Sequence, residues 1–104
     1  MSRLIRLGRV SELSKFKMKS FRVNNENILL ISLDGEFYAF EDKCPHMGYP
    51  LSMGSLNGEI LKCGFHYAKF NVIDGKPLSP SANKPLKKYR VILKENEVFI
   101  ELRE

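Results

Sequence analysis

Cys44-Pro45-His46 is answered, after sixteen intervening residues, by Cys63-Gly64-Phe65-His66. These two short stretches hold every cysteine and every histidine of the 104-residue chain. Thiolate and imidazole are the side chains that bind soft and borderline transition metals well. The pattern, Cys-x-His followed by Cys-x-x-His, therefore predicts a metal site built by two loops, each giving one sulfur and one nitrogen. Two cysteines and two histidines are a legal zinc set, but zinc sites usually keep like ligands together on one loop. Here each loop mixes them. That arrangement suits a two-metal object in which both cysteines take one metal and both histidines the other. A disulfide between the two cysteines is the plainer reading; it is disfavoured in most cytosols and leaves the matched histidines unexplained.

Cys44-Pro45-His46-Met47-Gly48 and Cys63-Gly64-Phe65-His66 resemble the Rieske family pattern, C-x-H-x-G followed by C-x-x-H. The similarity runs on through Phe70-Asn71-Val72-Ile73-Asp74-Gly75-Lys76 and Leu78-Ser79-Pro80, and covers the chain from about Ile28 to its end. The resemblance implies a [2Fe–2S] cluster held by Cys44, His46, Cys63 and His66, with a His pair replacing a Cys pair on one iron. One departure stands out. The family usually has Pro after the second Cys and Gly after the second His, where this chain has Gly64 and Tyr67. A tyrosine does not take a positive φ as cheaply as glycine, so the second loop is expected to differ in detail.

Two ferric ions, two sulfides, two thiolates and two neutral imidazoles sum to zero charge. An all-cysteine cluster starts at minus two, so histidine ligation makes an added electron easier to accept. High-potential members of the family place a Ser two residues after the second ligand His and a Tyr four after. Here those positions are Ala68 and Phe70, without hydroxyls. The expected potential is therefore toward the lower end of the Rieske span of about −150 to +300 mV. A small, low-potential chain of this type resembles the ferredoxin component of multi-component oxygenases. The resemblance implies a one-electron carrier, taking electrons from an NAD(P)H-dependent flavin reductase and passing them to a terminal oxygenase or similar acceptor.

The totals agree with one domain, residues 1–104, of ordinary globular composition: 43% hydrophobic and 28% charged. No apolar run approaches membrane-spanning length, and Met1 to Leu7 lacks the pattern of a cleaved leader. The expectation is a cytoplasmic protein, a monomer with no membrane contact. Its net charge is +5, and many of its basic residues lie in two clusters, Lys15, Lys17, Lys19 and Arg22, and Lys84, Lys87, Lys88 and Arg90. Nucleic-acid binding is the reflex reading of such charge, but no aromatic platform interleaves with it, and a solvated surface is preferred. Docking onto an acidic partner is the third reading.

Along the chain, Arg3 to Val10 reads as a strand, Ser11-Glu12-Leu13 as a turn, and Lys17 to Val23 as a weaker strand. Asn24-Asn25 is a turn signal. Ile28 to Leu33 is a short branched run typical of a buried strand, turned by Asp34-Gly35 into Glu36 to Glu41. From 44 to 66 the rhythm breaks: four of the seven glycines lie there, with a short strand Glu59 to Lys62 opened by Asn57-Gly58. Met47, Tyr49, Pro50, Leu51, Met53, Phe65 and Tyr67 are expected either to pack the loops and exclude water, or to rim the site for a partner. Phe70 to Val72 resumes a strand. Pro77, Pro80 and Pro85 mark irregular chain. Tyr89, Val91 and Leu93, then Val98, Ile100 and Leu102, alternate about Glu95-Asn96 as a final hairpin. The fold predicted is all-β: a small antiparallel sandwich or barrel-like domain with a two-loop cluster-binding subdomain at about residues 42–72.

The chain offers no hydrolytic triad and no nucleotide loop, and with both histidines committed it cannot build a mononuclear iron site, so it is not expected to be an enzyme. Two rivals are carried forward. One keeps the cluster but makes the chain a permanent electron-transfer subunit of a larger oxidoreductase. The other is a zinc-stabilised interaction module. Colour and acid-labile sulfide separate iron from zinc.

Overall fold

The computed structural model describes residues 2–44, 48–64, 68–79 and 84–103. Nine strands follow in order: β1 (Ser2–Arg9), β2 (Met18–Val23), β3 (Glu26–Leu33), β4 (Glu36–Glu41), β5 (Ser55–Asn57), β6 (Ile60–Lys62), β7 (Lys69–Asn71), β8 (Lys88–Lys94) and β9 (Glu97–Arg103). Three hairpins turn on two residues each, with positive φ at both: Asn24 and Asn25 (49° and 67°), Asp34 and Gly35 (50° and 81°), Glu95 and Asn96 (52° and 64°). That backbone twist matches the twist of the strands it joins, and Asn, Asp and Gly reach it at least cost. The registers close directly on these turns, with Val23 opposite Glu26, Leu33 opposite Glu36 and Lys94 opposite Glu97.

All the pairings are antiparallel. Six strands form one sheet in the order β1-β9-β8-β4-β3-β2, and three form a second in the order β5-β6-β7. The fold is thus all-β, as the turn and strand pattern predicts. Strand β3 explains the arrangement. Ile28, Leu29, Leu30 and Ile31 are all buried, so both faces of this strand are covered. Side chains alternate across a strand. Leu29 and Ile31, with Phe40 of β4, pack against Leu61, Phe70 and Val72 of the small-sheet region. Ile28 and Leu30, with Phe37 and Ala39 of β4, pack against Tyr89, Val98, Ile100 and Leu102 of the last hairpin. The large sheet therefore closes one core on itself and supports a second core beneath the small sheet.

Two details depart from the sequence reading. Val10–Leu13 forms a single helical turn, α1, where a plain turn is expected; it drops Leu13 into the core closed by the last hairpin. Strand β5 is absent from the sequence reading, because Ser-Leu-Asn has no strand signature of its own; it exists through its pairing with β6, Leu56 opposite Leu61. The described residues of the proline-bearing stretch are irregular, as expected, apart from a bridge between Phe70 and Pro77, and they are tied down. The Leu78 N–H donates to the Lys69 carbonyl at 2.8 Å, and the Leu86 N–H to the Gly75 carbonyl at 2.9 Å. Pro80 lies outside the described residues. Among the described residues, no helix is long and apolar enough to cross a membrane.

Candidate metal centre

The first loop leaves β4 at Glu41 and reaches β5 at Ser55; the second leaves β6 at Lys62 and reaches β7 at Lys69. Cys44 and Cys63 stand just beyond the ends of β4 and β6. Both are reduced, 1% and 0% exposed, and both belong to the core beneath the small sheet, with Leu51, Ala68 and Phe70. The disulfide reading is therefore not what the structure forms. His46 and His66, the two imidazole candidates, lie outside the described residues, as do Met47, Phe65 and Tyr67.

Local hydrogen bonds shape each loop around its cysteine. The Cys44 N–H donates to the Tyr49 carbonyl and the Gly48 N–H to the Cys44 carbonyl, each at 2.7 Å. Gly48 takes φ 71°, which lets the chain reverse at that point. In the second loop the Cys63 N–H donates to the Ala68 carbonyl at 2.7 Å. Leu51 opens a 3₁₀ turn, Leu51–Met53, and is fully buried. The two loops also meet directly. A Cβ at Gly64 would stand 3.2 Å from the Met53 carbonyl oxygen, and Gly54 lies against the Lys62 carbonyl.

The apolar residues of this segment divide into two kinds. Leu51 packs the core, whereas Met53 is 67% exposed and Tyr49 is also exposed. Burial and exposure thus fall to different residues of the segment. The sequence reading misses one participant. Asp42, two residues before Cys44, is buried and is bound by Ser20 and Ser52. Its only signal in sequence is an acid at the close of an apolar strand, which surface acids share.

The basic residues are partly engaged within the chain. Lys87 Nζ lies 3.8 Å from Glu26 and 3.9 Å from Glu41, and Lys88 Nζ donates to the Ile73 carbonyl at 2.7 Å. Lys19 sits over the rings of Phe16 and Phe21. Among the described residues, no group of three or more His, Cys, Asp or Glu side chains converges on another metal site.

The donor set fits an iron–sulfur cluster on physical grounds. Two reduced cysteines from different loops are sealed in one apolar core, and glycines bring the loop backbones close enough to surround a compact group.

Comparisons with known proteins agree. The Rieske [2Fe-2S] domain pattern matches residues 3–90. The chain is 35% identical over 91 residues to the ferredoxin component of biphenyl 2,3-dioxygenase from Rhodococcus jostii (strain RHA1), covering 88% of this chain and 85% of that one. It is 38% identical over 79 residues to Ferredoxin CarAc of Metapseudomonas resinovorans, covering 76% and 74%. Among solved structures it is similar, with a TM-score of 0.85 and 32% identity over 93% of this chain and 91% of the other, to a chain in a complex of reduced oxygenase and oxidized ferredoxin in carbazole 1,9a-dioxygenase. The first relative is named as the ferredoxin component of a dioxygenase and the second as a ferredoxin. The chain belongs to the Rieske [2Fe-2S] domain family, an electron-transfer protein whose cofactor is a [2Fe–2S] cluster.

Proposed function

We propose that this chain is the ferredoxin of an oxygenase system, accepting single electrons from an NAD(P)H-dependent flavin reductase and delivering them to a terminal oxygenase. The observation that carries this reading is the burial of Cys44 and Cys63 in one core, at the ends of two loops that also hold the two histidines in sequence. Cys44 and Cys63 would bind one iron, and His46 and His66 the other. The cluster, when bound, supplies a reversible one-electron couple.

The protein's own part is to hold and insulate. Leu51, Phe70 and Val72 exclude water from the cysteine side. Ala68 and Phe70 offer no hydroxyl to the sulfurs, which keeps the potential low. Exposed Met53 and Tyr49 give the loop end an apolar rim against which an acceptor can close. We place the protein in the cytoplasm as a monomer, residues 1–104 acting as one domain with its cluster end at about 42–72. The likeness to ferredoxins of dioxygenase systems supports the acceptor. EPR of the dithionite-reduced, iron-loaded protein, with its midpoint potential, tests the reading. A rhombic reduced-cluster signal lost in Cys44→Ala and Cys63→Ala is expected; a colourless protein with one zinc would overturn it.

A further inference from the structure

We infer that Asp42 is a positioning residue for the cluster, pinning the first loop to the large sheet and setting a fixed negative charge on the cysteine side. The inference rests on the function proposed above. Asp42 follows the last residue of β4 and is 6% exposed. Its backbone is anchored independently, the Asp42 N–H donating to the Asn27 carbonyl at 2.8 Å. Its carboxylate accepts from the Ser52 N–H at 2.7 Å on one oxygen, and from the Ser52 hydroxyl at 2.7 Å and the Ser20 hydroxyl at 3.0 Å on the other.

Ser20 lies on β2, an edge of the large sheet, while Ser52 lies inside the 3₁₀ turn of the first loop. One side chain thus fastens the far end of the loop to the sheet at its root. Between these fastenings stand Cys44 and the stretch to Pro50. Among the described residues no cation pairs with Asp42. Among the described residues these hydrogen bonds are what holds its buried carboxylate, and bonds to a carboxylate are of the stronger, charge-assisted kind. Asp42 and Cys44 are two residues apart, at most about 7 Å between their α-carbons. In a low-dielectric interior a carboxylate near the site disfavours the addition of an electron.

The test uses the iron-loaded protein and two variants. Asp42→Asn keeps an acceptor for the Ser52 N–H and removes the charge. Ser52→Ala keeps the charge and cuts one arm of the pin. Each is measured for midpoint potential and for cluster lifetime in the presence of the ferrous chelator bathophenanthroline after reduction. Asp42→Asn is expected to shift the midpoint upward. Ser52→Ala is expected to shorten the lifetime about fivefold or more, the loss of one hydrogen bond to a charged group. An Asp42→Asn protein with the wild-type midpoint overturns the inference, since a merely structural acid would leave it unmoved. A Ser52→Ala lifetime equal to wild type overturns it as well. If the wild type itself holds no acid-labile sulfide, the functional reading falls with it; if the wild type is loaded and the variants match it, only the role of Asp42 falls.

Discussion

Gly54 is pressed so closely against the carbonyl oxygen of Lys62 that a Cβ at position 54 would overlap it. The same Cβ would stand 3.2 Å from the Gly64 amide nitrogen. The obstacle is backbone, paired in the small sheet where Ser55 faces Lys62, so it cannot swing aside. The two cluster loops therefore touch at a point only a glycine permits.

Gly54→Ala should thus force the loops apart, at a cost of about 1–3 kcal/mol or more. Gly58 is the control. It has a positive φ, but a Cβ added there would meet nothing within 4 Å, so Gly58→Ala should cost only about 1 kcal/mol through backbone strain. Urea unfolding of both variants reads the difference. Equal midpoints for the two would show that the 54–62 contact is not rigid.

Ala68 and Phe70 are both fully buried in the core that holds Cys44 and Cys63. A hydroxyl introduced at either position enters a dry site where the sulfurs are the natural acceptors. Ala68→Ser and Phe70→Tyr should each raise the midpoint potential, because a hydrogen bond to sulfur stabilises the more negative, reduced state. Protein-film voltammetry measures the shift. No upward movement in either variant would remove the stated cause of the low potential expected.

Leu51 and Met53 sit two residues apart in one 3₁₀ turn yet differ completely in exposure. Leu51→Ala should lower stability by about 2–5 kcal/mol and hasten cluster loss. Met53→Ala should leave stability within about 0.5 kcal/mol of wild type. Thermal unfolding of the loaded proteins checks both, and a Met53 cost comparable to that of Leu51 would contradict the division into packing and rim.

Tyr89 gives a pH dependence with a definite sign. Burial, then the negative charges of Glu26 and Glu41, raise its pKa to about 12 from 10.0, and its hydroxyl donates to Glu26 at 3.4 Å. Lys87 also faces this group, its Nζ 5.4 Å from the ring centroid. Below pH 10 both folded and unfolded chains keep the phenol proton. Between about pH 10 and 12 the unfolded chain loses it first, so stability falls as pH rises through that window. Tyr89→Phe should fall less steeply there. Urea midpoints from about pH 8 to about pH 11.5 would show it, and parallel profiles would count against the assignment.

The hairpins are legible in the sequence because their turns are local chemistry. Asn24-Asn25, Asp34-Gly35 and Glu95-Asn96 all adopt positive φ at both turn residues. The apolar run Ile28 to Ile31 announces a buried strand, and the strand is covered on both faces. What is not legible depends on partners distant in sequence. Strand β5 exists only against β6, and the burial of Asp42 depends on Ser20 being brought across from β2.

The order of residues alone determined the candidate ligand types, the two stretches that carry them and the antiparallel meander, because spacing, turn chemistry and side-chain alternation act over a few residues at a time. Tertiary structure alone decided that Cys44 and Cys63 share one sealed core, that Gly54 meets Lys62, and that a carboxylate is buried beside the first loop. Those relations arise where two sheets close on each other, and burial and close approach are properties of that closure rather than of any stretch of chain.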